Sequence, residues 1–102
     1  MPKSLDERTI EALVAHGADL ATPRKTNHYF YARRQRSAEA LAARLQKEGR
    51  NIDVHQTEDE WVVVVKFVMI VGPSSMADAR REFESAAAAA GAHYEGWEAS
   101  VR

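Results

Sequence analysis

The sequence predicts an α+β fold: a ferredoxin-like split β-α-β-β-α-β unit, with a four-stranded antiparallel sheet, two helices on one face and an additional helix at the N-terminus. Three observations lead there. Two segments with apolar residues at helical spacing each lie between segments that alternate or run apolar like strands. The two middle strands follow one another across the short polar turn Thr57-Glu58-Asp59-Glu60, which makes them a hairpin. Glycine, proline and serine punctuate the remaining connections.

Ser4-Leu5-Asp6-Glu7 reads as a capping box for a first helix over residues 4–16, the Ser4 hydroxyl accepting from the amide three residues on. Ile10, Leu13 and Val14 form its apolar face and Gly17 stops it. Gly17, Asp19 and Pro23 mark a loop, after which Lys25 to Ala32 alternates as a first strand. His28, Phe30 and Ala32 lie on one side, and Asn27, Tyr29 and Tyr31 on the other. Ser37 is the expected cap of the second helix, whose stripe is Ala38, Leu41, Ala42 and Leu45 before Gly49. Ile52 and Val54 begin the second strand, and Trp61 to Ile70 is the third. Ser75, with Asp78 three residues on, is expected to cap the third helix. Met76, Ala79, Phe83, Ala86, Ala87 and Ala90 form its stripe, its alanine run is strongly helix-forming, and Gly91 ends it. His93 to Val101 closes a core of about 25–101. Nothing divides the chain, so 1–102 is read as a single domain.

The third strand is apolar on both parities: Trp61, Val63, Val65, Phe67 and Met69 on one side, Val62, Val64, Val68 and Ile70 on the other. A half-solvated antiparallel strand should alternate. A cover over the second face is therefore expected, either the first helix through Leu5, Ile10, Leu13 and Val14 or another protein chain.

Composition excludes several classes. The chain has 102 residues, 45% hydrophobic and 28% charged, a net charge of −1 and no cysteine, so neither disulfides nor thiolate chemistry arise. Its longest apolar run, Trp61 to Val71, is broken by Lys66 and falls short of the roughly 20 residues of a membrane helix. The first residues lack the apolar core of a secretory signal, and a cytoplasmic protein is expected.

Motifs for catalysis are missing. His16, His28, His55 and His93 sit in four separate segments without metal-ligand spacing, so no metal is expected. No serine stands in a nucleophile elbow. Glu95 and Glu98, three apart on a regular strand, would face opposite sides. The glycines never cluster into a phosphate loop. Neither enzyme activity nor a cofactor is expected. An alternative is an RRM-like single-stranded RNA binder that uses Tyr29, Tyr31, Arg33, Arg34 and Arg36. Against direct nucleic-acid contact, Trp61 to Phe67 lacks the RRM signature. A homodimer joined through the apolar outer face of the sheet is a further alternative.

The most unusual stretch is Tyr94-Glu95-Gly96-Trp97-Glu98, where aromatic and acidic residues surround a strand glycine that marks a bend. Together with Gly17-Ala18-Asp19, Pro23-Arg24 and His28-Tyr29-Phe30-Tyr31, it resembles the regulator of ribonuclease activity B family, in order and over about Gly17 to Val101. Glu95 stands where that family has Asp, and Ala92 where it has a second glycine. The resemblance implies a ferredoxin-like domain that binds the endoribonuclease RNase E and restrains its cleavage of RNA, without catalysis or cofactor. The positions it implies for partner binding are Asp19, Arg24, His28, Tyr94, Glu95, Gly96, Trp97 and Glu98. His28 and Tyr94 can equally form a buried polar pair.

Overall fold

The computed structural model describes residues 4–100. Its elements follow the expected order: α1 (Leu5–Ala15), β1 (Arg24–Ala32), α2 (Gln35–Leu45), β2 (Asn51–Gln56), β3 (Trp61–Met69), α3 (Pro73–Ala90) and β4 (His93–Ala99). The four strands form one antiparallel sheet in the order β2-β3-β1-β4. This is the ferredoxin-like arrangement, and it makes the first and last strands neighbours. Val101, the expected end of the last strand, lies outside the described residues.

The helix boundaries have local causes. The Ser4 hydroxyl accepts from the Glu7 amide at 3.1 Å, which satisfies one of the free donors at the start of α1. Two boundaries differ from expectation. α2 begins at Gln35, so Ser37 lies inside its first turn, because the extended backbone of Arg34 leads straight into the helix and its carbonyl accepts from the Ala38 amide. α3 begins at Pro73, whose fixed φ suits a first helical position. Ser75 caps it from within: its hydroxyl accepts from the Gly72 amide at 3.0 Å and donates to the Ile70 carbonyl at 2.7 Å. Gly91 ends α3 in the left-handed region, at φ +78°.

The main core lies between the sheet and helices α2 and α3. Phe30, Ala32, Val63 and Val65 from the sheet meet Ala38, Leu41 and Leu45 of α2 and Phe83 and Ala87 of α3. A second cluster joins Ile10 and Leu13 of α1 to Val71 and Met76, with Met69, Trp97 and Ala99 against it. Register places Trp97 opposite His28 on the core side of the sheet. α1 therefore lies on the same side as α2 and α3, and the expected cover of the second face by this helix does not occur.

Register explains how β3 is apolar on both faces without such a cover. On the outer face Val62 stands between Tyr31 and His55, and Val64 between Tyr29 and Asp53. Val62 is 5% and Val64 6% exposed, whereas Val68 beyond the tyrosines is 58% exposed. Short β-branched side chains between larger neighbours lose their water to those neighbours alone.

Candidate functional site

The residues of the sequence motifs separate into an interior set and a surface set. In the interior, His28 is fully buried on β1, facing Phe67, Phe83 and Tyr94 at ring separations of 5.1, 4.7 and 6.0 Å. Its hydrogen bonds order its protons. The Thr26 hydroxyl donates to the Phe67 carbonyl at 3.0 Å, so it accepts from His28 Nε2 at 3.1 Å. Nδ1 is then the unprotonated nitrogen and accepts from the Tyr94 hydroxyl at 2.9 Å. Burial, reinforced by the Arg50 guanidinium, holds the His28 pKa down at about 4, and burial pushes that of the Tyr94 phenol up. The ring is neutral and its two nitrogens are satisfied.

Two arginines flank this aromatic group. Arg50 lies 5.0 Å from the Phe67 ring and 5.3 Å from Phe83, and pairs with both carboxylate oxygens of Glu82 at 3.0 and 3.1 Å. Arg80 lies 5.0 Å from the Tyr94 ring and donates twice to Asp6, both at 2.7 Å. Asp6 also accepts from Trp97 Nε1 at 2.8 Å. One carboxylate thus joins α1, α3 and β4. The bidentate bond from Arg80 holds the Asp6 carboxyl below its ordinary range.

Arg24, nearly buried, donates from one nitrogen to the Ser100 carbonyl at 2.9 Å and from another to the Asp19 carbonyl at 2.5 Å. The Asp19 carboxylate is used locally, accepting from the Ala21 amide at 2.9 Å. The Gly-x-Asp loop is thereby tied to the end of β4.

On β4 the pairing with β1 shifts between Tyr29 and Phe30: Tyr29 pairs with Gly96 and Phe30 with Tyr94, so Glu95 is an extra residue. Gly96 has φ +133°, a conformation that other residues rarely adopt. The bulge puts Tyr94 and Trp97, three apart, on the same core-facing side. It also breaks the regular alternation from which opposite faces for Glu95 and Glu98 were expected.

Tyr29 and Tyr31 lie on the uncovered face of the sheet. Glu98, exposed on that face, accepts from the Tyr29 hydroxyl at 2.5 Å and from Asn27 Nδ2 at 2.9 Å. These bonds hold the Glu98 carboxyl below its usual range and the Tyr29 phenol above its own. At the far end of the same strands, Tyr31, Arg33, Arg34, Glu60, His93 and Glu95 line an open cleft of about 490 Å³. Arg36 sits on the exposed side of the first turn of α2. Among the described residues no three His, Asp or Glu side chains converge as metal ligands would. No helix among them is long and apolar enough to cross a membrane.

The model of the family described as regulator of ribonuclease activity B matches residues 3–99, nearly the whole chain. The chain belongs to that family. A comparison with curated proteins found no match. The matched residues include the capping segment of α1, which the sequence identified as a cap without showing that its Asp6 ties to Arg80 and Trp97. Asp6, Arg50 and Arg80 place charge around this aromatic group: Asp6 on the Trp97 indole, Arg80 over Tyr94, and Arg50 over Phe67 and Phe83. Their sequence signal was faint: an acid in a first helical turn and two arginines on otherwise polar segments resemble ordinary surface charge.

Proposed function

We propose that the chain is a non-catalytic cytoplasmic protein that binds an RNase E-type endoribonuclease and lowers its cleavage of RNA. Family membership supports a regulator of ribonuclease activity. The observation that favours a protein partner over RNA is the position of Glu98. Its carboxylate is fixed against Tyr29 and Asn27 on the face where an RRM-like protein would stack bases and hold phosphates. An anchored negative charge there repels a phosphodiester chain and occupies the Tyr29 hydroxyl as a donor. Arg24 and His28 are interior and Tyr94 and Trp97 half-buried, so among the motif residues Asp19, Glu95 and Glu98 offer the exposed side chains for contact.

The test is cleavage of a labelled RNA by the host's RNase E-type enzyme while this protein is titrated in, with the protein and RNA alone as a control. Slower cleavage without RNA binding is expected. Slowing accompanied by RNA binding moves the effect to masking of the substrate. No change in cleavage and no binding to the nuclease overturns the proposal.

A further inference from the structure

We infer that the cleft at the Tyr31 end of the sheet is where the protein partner docks, through a segment that carries a carboxylate and a cation side by side. The inference rests on the reading of the partner as an RNase E-type endoribonuclease, and adds where and by what chemistry it is held.

The charged groups packed beside the core aromatic residues are matched within the fold: Asp6 with Arg80, and Arg50 with Glu82. The cleft differs. The side chains of Arg33, Arg34, Glu60 and Glu95 line it, all four residues are exposed, and among the described residues none of these side chains makes a hydrogen bond or ion pair. Both signs of charge are thus presented to solvent around one concavity instead of being neutralised within the fold. Half-buried Tyr31 supplies an aromatic wall beside them. Tyrosine and arginine are the residues most often found carrying affinity at interfaces.

Glu95 reaches this cleft because of the bulge at Glu95-Gly96, which adds a residue without a partner on β1. The terminal motif therefore has two uses. Its aromatic members fasten β4 to the helices, and its bulge delivers a carboxylate to the surface.

The mixed signs select among ligands. A phosphodiester chain brings only negative charge, which Arg33 and Arg34 attract but Glu60 and Glu95 repel. A protein segment with an acidic residue for the guanidiniums and a basic residue for the two carboxylates satisfies all four.

Calorimetric titration of the full chain with the host's RNase E-type enzyme, and separately with a single-stranded RNA oligonucleotide, tests the inference. The double reversal Arg33→Glu with Arg34→Glu is expected to weaken binding to the nuclease about tenfold or more at an unchanged melting temperature. Glu95→Lys should weaken it as well, and Lys66→Ala, away from the cleft on the outer face, should not. If the reversal lowers the melting temperature, the neutral pair Arg33→Ala with Arg34→Ala provides the same comparison at constant fold. Wild-type affinity in the cleft variants overturns the docking site and leaves the proposed function standing. No binding of the wild-type chain to the nuclease overturns both. RNA binding that the arginine variants abolish reassigns the cleft to nucleic acid and overturns the inference.

Discussion

His28 is buried as a neutral ring whose two nitrogens are both used, and this has a consequence for stability in acid. Its pKa is about 4 in the folded chain, against about 6.5 when unfolded. Between those values the unfolded state takes up a proton that the folded state does not. The stabilisation is complete above pH 6.5, falls as pH drops toward 4, and changes no further below that; the total is about 3 kcal/mol. Asp6, whose pKa is lowered by Arg80, adds a further loss below its ordinary value of 3.8. Urea denaturation at pH 7.5 and pH 4.2 measures this, and equal stabilities would show that His28 is not buried neutral. Tyr94→Phe removes the donor to Nδ1 and leaves a buried acceptor unpaired, at an expected cost of about 1–3 kcal/mol in the same assay. The sequence drew attention to His28 and Tyr94 together. The proton order that makes them a pair depends on the Thr26 hydroxyl and the Phe67 carbonyl, which only the sheet brings alongside.

β4 and α1 are held to the rest of the fold by a few specific contacts. Trp97 is half-buried against the α1 cluster, with its indole nitrogen on Asp6. Trp97→Ala should therefore lower stability by about 3 kcal/mol, through lost packing and a lost donor to a charged acceptor. A normal melting temperature combined with lost nuclease binding would instead place Trp97 in the interface. At Gly96 an added Cβ would meet nothing within 4 Å, so Gly96→Ala carries only the backbone strain of φ +133°. That cost is about 1–3 kcal/mol, and a melt unchanged from wild type would mean that the bulge relaxes. The bend at Gly96 was legible from a glycine inside a strand. Its effect on phase was not, because a single extra residue alters every later position and leaves no mark in residue type.

For the whole molecule, the outer face bears on association. The dimer alternative needs a broad apolar surface there. Val62 and Val64 are shielded by Tyr31, His55, Tyr29 and Asp53, and Val68 is left as an exposed apolar residue beside Lys25. Ile70, two residues on, is 41% exposed as well, and two exposed aliphatic side chains do not make a broad apolar patch. We expect light scattering to give a monomer of 11.4 kDa at high concentration. A particle of twice that mass would restore the dimer through this face.

By itself the sequence determined the order of elements, the capping of α1, the stop at Gly91 and the family. These are properties of short windows, where apolar period, turn residues and a linear motif are read from neighbouring positions. The tertiary structure alone decided which face α1 covers, how β3 stays dry on its outer side, and that Asp6, Arg50 and Arg80 surround the histidine. Asp6 and Trp97 are 91 positions apart in the chain, and His28 and Tyr94 are 66 apart. Such pairs are set by strand register and helix docking, and those depend on the packing of the whole core rather than on any segment's own composition.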